Sequence, residues 1–342
     1  VADRYGPERR LLDHVRTWID VFPWLRLVRV CRIAGGPVWL MHTLLVMSVW
    51  MVGLRWLGGE QPSPDGSWMS NPAIMLPLST TLMPGDWIAP IPGSTTFASS
   101  LNWQIIVWTI LLWMPTAMAL MRVGALLTAG QDMPSYITTF RAVAVRLRGA
   151  LVILLVPALA AALFWGIAAG ASWLAEFVGG ESDRATWASW LTLPIVLPAT
   201  VVASVFLVAG KFAVPLALTA LMVESDADPI DSLSRGYEYT LRRLLQLGLL
   251  CIVAVSISAF VVMAWVGLSN VGQTLATSFG SPHRELPGCL SILPAVVAIM
   301  LLWSMIGGIY LLLRQSANGQ EVEDLAIEPG HWKSPRLPSV QS

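Results

Sequence analysis

Charge is scarce in this 342-residue chain: Asp, Glu, Lys and Arg together make up 12% of it, about half the share of a soluble domain. With 55% apolar residues, that excludes a water-soluble enzyme and a disordered tail protein. Lysine is nearly missing, Lys211 being the only one before Lys333 in the tail. The three cysteines, Cys31, Cys251 and Cys289, are scattered with no CxxC or Cys/His cluster, which excludes a disulfide-built module and the usual zinc and redox motifs. Four histidines, His14, His42, His283 and His331, are spread too widely to converge on one metal. Neither HExxH, GxSxG nor a P-loop spacing occurs, so the common hydrolytic and nucleotide signatures are absent and no cofactor is expected. Lys+Arg and Asp+Glu both number 21, so no net field recruits nucleic acid.

What is abundant is hydrocarbon. Mean hydropathy is +0.65, and the 17 Trp and 23 Pro suit a chain that meets bilayer interfaces and tolerates proline in its spans. Six stretches, about 36–58, 101–121, 149–175, 188–213, 244–267 and 291–313, approach or exceed the roughly 20 residues needed to cross about 30 Å of hydrocarbon. The first is too long, and lacks the small-residue end, for a cleavable signal peptide.

The arginines give the orientation. Placing the N-terminal segment, the 122–148 and 214–243 loops and the tail on one side collects 17 basic residues there, against Arg55, Arg184 and Arg284 opposite. By the positive-inside rule both ends are cytoplasmic. Acidic residues follow more weakly, 14 inside and 7 outside.

One segment, Glu224 to Arg243, reads as an amphipathic helix. Asp228 is placed to N-cap it, Pro229 suits the first helical position and Asp231 the first turn. Ile230, Leu233, Tyr237, Leu241 and Leu244 share one face, and Asp231/Arg235 and Glu238/Arg242 form i,i+4 pairs on another. Such a helix lies in the interface before the fifth span. The same layout occurs at Asp132-Met133-Pro134-Ser135, followed by Ile137, Phe140, Ala144, Leu147 and Leu151 with Arg141, Arg146 and Arg148. A weaker copy begins at Pro23, with Arg26, Arg29 and Arg32 interleaved with Leu25, Val28 and Cys31. The expectation is an all-α integral membrane protein: six spans, an interfacial helix before each helical pair, and a threefold repeat of units 9–122, 123–223 and 224–314. Segment 1–35 forms an Arg-rich lead, 36–314 the membrane domain and 315–342 a flexible tail.

The stretch Asp231-Ser232-Leu233-Ser234-Arg235-Gly236-Tyr237-Glu238-Tyr239, with acids ahead of it, resembles the segment before a span in uncharacterised six-span inner-membrane proteins of planctomycete-type bacteria. It is more loosely similar to the membrane domain of glycerophosphodiester phosphodiesterase-like families. After Arg242 the sequence departs from the planctomycete-type pattern, with Arg243-Leu244-Leu245-Gln246 in place of proline and aromatics. The resemblance implies a bacterial inner-membrane protein and supplies no catalytic residues; the phosphodiesterase relatives' catalytic domain is soluble, and no segment here reads as one.

Candidate functional positions are few. His42 and Lys211 are ionisable groups within or at the end of spans, where charge is costly. For His42 the alternatives are a hydrogen bond to a neighbouring helix or a ligand or proton role; for Lys211 they are snorkelling to headgroups or a lipid-phosphate contact. Thr200 and Ser204 accompany Pro194, Pro198 and Pro215 on the fourth span, which is expected to be kinked or broken. Arg26, Arg29, Arg32, Arg141, Arg148, Arg235, Arg242 and Arg243 are expected to meet anionic headgroups. Gly166 and Gly170 form a GxxxG suited to close helix contact, within the chain or, when partnered, in a dimer. The 59–100 segment, with seven prolines and no basic residue, is an outer loop that rests on headgroups or acts as a lid or partner site. No acid falls in mid-span, which argues against ion-coupled pumping. These features favour a non-enzymatic scaffold, assembly or lipid-interacting protein, with membrane lipids, protein partners or a second copy as partners. A permease or lipid-handling transporter built on the fourth span is the competing expectation. A membrane-impermeant maleimide added outside is expected to label single cysteines placed in 59–100 and spare those placed in the tail; the reverse pattern would overturn the topology.

Overall fold

The computed structural model describes residues 22–57, 103–179, 184–224, 228–278 and 286–318. No strand occurs among them. After a 3-10 helix, Pro23–Gly35, come α1 (Pro37–Trp56), α2 (Trp103–Thr128), α3 (Tyr136–Gly179), α4 (Arg184–Val223), α5 (Pro229–Arg242), α6 (Leu244–Ser278) and α7 (Leu286–Asn318). Five of these helices are long and apolar enough to cross a membrane, and a sixth crossing exists if the 3-10 helix and α1, bent by 73°, count as one. The protein therefore has the helical make-up of a multi-pass membrane protein. The 59–100 loop, the residues before 22 and the tail after 318 lie outside the described residues.

The 3-10 geometry re-sorts the first amphipathic segment. With three residues per turn, side chains at i and i+3 stack in line, so Leu27, Val30 and Ile33 form a fully buried stripe packed on α2 and α7. Leu25, Val28 and Cys31, the apolar residues interleaved with the arginines, form another such line and are half-buried or exposed. Arg26, Arg29 and Arg32 fall into a third line for the same reason.

Two expectations change. A separate interfacial helix before the third span is not formed: α3 runs unbroken for 44 residues, about 66 Å. Between Arg141 and Leu151 only Gly149 weakens the helix and no proline interrupts it, so nothing stops propagation. The buried face there is Thr139, Ala142, Val143, Ala150, Ile153 and Leu154, whereas Ile137 is 73% exposed. The fourth span is likewise continuous through Pro194, Pro198 and Pro215. It is not broken.

The signals read at α5 are realised. The Asp228 carboxylate accepts from the Asp231 N–H at 3.4 Å, and the Asp231/Arg235 and Glu238/Arg242 pairs both close at 2.7 Å. The buried face is Ser232, Leu233, Gly236, Tyr239 and Thr240; it keeps Leu233 of the expected apolar stripe, whose Tyr237 also bonds α4, and at Gly236 the backbone comes up against the Ala213 carbonyl of α4. Ile230 and Leu241, from the expected apolar stripe, stay exposed. The helix ends at Arg243, whose φ of −125° and ψ of 35° turn the chain into α6.

α7 and α2 are the central helices. Within the apolar windows, 83% of α7 and 67% of α2 is buried, against 28% of α3, 17% of α6 and 11% of α4. The two cross closely because Gly124 of α2 faces the Ser304 carbonyl and Gly307 of α7 faces the Met121 carbonyl, leaving no room for a β-carbon at either. Small residues are what bring membrane helices together. The expected GxxxG does not serve this purpose: nothing lies within 4 Å of a β-carbon at Gly166 or Gly170. At the end of α2, Gly130 adopts φ +81°, and its N–H and that of Gln131 bond to the Leu127 and Leu126 carbonyls, a Schellman stop. Gly124→Ala is expected to cost about 1–3 kcal/mol by overpacking, measured by unfolding in mixed micelles, whereas Gly166→Ala should be neutral or gain up to about 1 kcal/mol from helix propensity.

Candidate functional site

The richest polar constellation is built where α4 ends. A helix leaves its last carbonyls without intrahelical donors, and here arginines from two other helices supply them. Arg146 of α3 donates to the Met222 carbonyl at 2.6 Å and to the Glu224 carbonyl at 3.0 Å, and Arg122 of α2 donates to Met222 at 3.2 Å. Cations also suit the negative end of the helix dipole. One step further, the Glu224 carboxylate takes Arg235 of α5 at 2.6 Å on one oxygen and the Tyr310 hydroxyl of α7 on the other. The Tyr239 ring packs beside Tyr310 with centroids 5.9 Å apart. Five helices, α2, α3, α4, α5 and α7, are thereby tied at one end.

The electrostatics follow from burial and from this charge sharing. Burial alone would lower the Arg235 pKa, but Glu224 and then Asp231 raise it overall. Tyr239 is pushed up by burial, partly offset by the Arg235 charge, and burial pushes Tyr237 up to about 12 while its hydroxyl donates to the Phe206 carbonyl at 3.1 Å. Each group is held in its ordinary protonation state at neutral pH. The arrangement fixes the positions of the helix ends.

His42 belongs to a different place. Its Nε2 lies 3.3 Å from the Thr116 hydroxyl on α2 and its Nδ1 3.0 Å from the Tyr136 hydroxyl at the start of α3. Phe140 and Trp39 pack against the ring, Phe140 at a centroid distance of 4.9 Å. Both ring nitrogens are thus engaged in joining α1, α2 and α3. Thr200 and Ser204 are exposed on α4 and donate to carbonyls four residues back, Val196 and Thr200. Lys211 lines an apolar groove of about 470 Å³ between α4, α6 and α7. The four residues do not converge on one site.

The eight arginines divide. Arg29, Arg32, Arg141, Arg148 and Arg242 are exposed. Arg26 is half-buried, Arg235 is drawn into the Glu224 cluster, and Arg243 bonds Gln246 and Ser316 at 3.3 Å each, tying α6 to the end of α7. Arg29 lies over Gly130 at the end of α2. Among the described residues no group of three or more His, Cys, Asp or Glu could hold a metal ion.

No family model matches the chain, and neither does any curated protein or solved structure. Its chemistry must be read from its own residues.

Sequence reading missed the roles of Glu224, Arg122, Arg146 and Tyr310. Glu224 was visible as the acid directly after an apolar run, and Tyr310 as the one hydroxyl-bearing aromatic of the sixth span, but nothing in the spacing pairs two residues 86 positions apart. Glu224→Gln keeps the shape and removes the charge facing Arg235; it is expected to cost about 1–3 kcal/mol in micelle unfolding. Asp231→Asn, at a side chain 49% exposed, should cost under about 1 kcal/mol.

Proposed function

We propose that the protein is a non-enzymatic multi-pass protein of the bacterial inner membrane, with a scaffold, assembly or lipid-interacting role and both termini cytoplasmic. The observation that carries this reading is the division of its polar groups. Inside, polar groups tie helices to one another, as in the Glu224 cluster and the His42 bridge. Outside, Arg29, Arg32, Arg141, Arg148 and Arg242 are exposed, Arg242 while paired with Glu238. Arginine clusters at a cytoplasmic face attract anionic lipid.

Within this proposal the bent pair Pro23–Gly53 counts as the first of six spans, and each of the three basic segments lies at or just before the start of a helical pair, the arrangement that three repeated units would share. The likeness of Asp231 to Tyr239 to the planctomycete-type proteins agrees with that layout. A lipid-handling transporter is the second reading, favoured by the groove at Lys211. A permease for polar solutes has less support, because α4 runs unbroken and offers no unwound mid-membrane backbone for a substrate.

In nanodiscs the wild-type chain is expected to melt higher with phosphatidylglycerol than with phosphatidylcholine. Replacing the exposed arginines by glutamine should remove most of that difference, at roughly 1 kcal/mol of lipid attraction per residue. Equal melting of the wild type in both lipids would overturn the lipid reading.

A further inference from the structure

The groove between α4, α6 and α7 has the chemistry of an amphiphile site. Its lining on α6 runs from Leu247 to Val262, about 22 Å of helix, and includes Cys251 and Ser258. Ala298 and Trp303 of α7 form the facing wall, and Phe212 of α4 stands beside Lys211. The volume, about 470 Å³, falls within the range of sites that enclose a small molecule. Lys211 is the single charged residue among those lining the groove. It is also the single lysine before the tail, so charge and shape coincide at one place. Trp190, exposed on α4, marks an interface; Lys211 comes 21 residues later, about 32 Å along the helix. Its flexible stem can then carry the ammonium to headgroup level of the other leaflet.

We infer that this groove binds one anionic phospholipid of the surrounding bilayer, an acyl chain lying along α6 and α7 and the phosphate meeting the Lys211 ammonium. The apolar walls explain why a chain is the occupant, and the lysine explains why its headgroup is anionic. A water-soluble solute would find almost no polar partner there. The inference rests on the lipid reading above and adds to it a site and a stoichiometry that the exposed arginines do not require.

The test uses the full chain in proteoliposomes with phosphatidylglycerol or phosphatidylcholine carrying a photoactivatable diazirine in the acyl chain, and maps adducts by mass spectrometry. Phosphatidylglycerol is expected to label Ser258, Ala298 or Trp303 in preference to the exposed α3 face at Leu163. Lys211→Gln should reduce that preference about fivefold, the effect of one cation at a membrane surface, and Lys211→Arg should restore it. Ala298→Phe, which fills the groove, should abolish groove labelling while labelling at Leu163 persists; Ser258→Phe provides a second filling variant should the first fail to fold. Equal groove labelling by both lipids, unchanged by Lys211→Gln, would overturn the proposal and leave ordinary boundary lipid. Absence of groove labelling, with disulfide-linked dimers forming through Ser258→Cys, would overturn it in favour of a second copy. In either case a retained melting difference in nanodiscs leaves the broader lipid reading standing.

Discussion

Covering apolar surface does little to hold helices together in hydrocarbon, since lipid tails are as apolar as leucine. What remains is close backbone approach and the satisfaction of polar groups, and both are concentrated around α7. Gly307 against Met121 and Gly124 against Ser304 let α2 and α7 touch along their backbones. The buried 3-10 stripe of Leu27, Val30 and Ile33 then packs onto that pair. α6 packs along α7 and is bonded to it from Ser269 to the Leu290 carbonyl, while α3, α4 and α5 are tied to the centre at one end.

The attachment at that end is polar. Arg122 and Arg146 cap the carbonyls of α4, Glu224 links Arg235 to Tyr310, and Arg243 reaches Ser316. An unsatisfied buried carbonyl or carboxylate is expensive, so these contacts constrain where α3, α4 and α5 can sit. Away from the cluster, α4 and α6 present most of their apolar length outward. The space between them and α7 becomes the groove that holds Lys211. A firmly tied end and loosely covered helices suit a protein that engages lipid along its flanks.

Local signals were legible where chemistry acts over a few residues. The Asp228 cap, Pro229 start and i,i+4 ion pairs of α5 were all readable and all formed. The positions of the apolar runs were readable too. Which face would be buried was not: for α3 the expected stripe was displaced and for α5 it was kept only in part, because in a chain with apolar residues on every side, hydropathy no longer distinguishes a neighbouring helix from lipid. Gly166 and Gly170 make no contact within the chain, while the glycines that do, Gly124 and Gly307, sit on different helices with no shared motif. Of the proposed polar site, His42 proved to join helices beside a pocket of its own, and Lys211 lies in the separate groove between α4, α6 and α7.

Composition and arginine placement determined by themselves that this is a helical chain with several membrane-length segments and charge gathered near their ends, since 12% charge and long apolar runs leave few other ways to satisfy the backbone. Tertiary structure alone decided that α7 is central, that Glu224 closes on Arg235 and Tyr310, and that Lys211 stands beside a groove. These facts depend on pairings between residues up to about a hundred positions apart, and those pairings are set by where glycine permits backbones to meet and where buried oxygens require a donor.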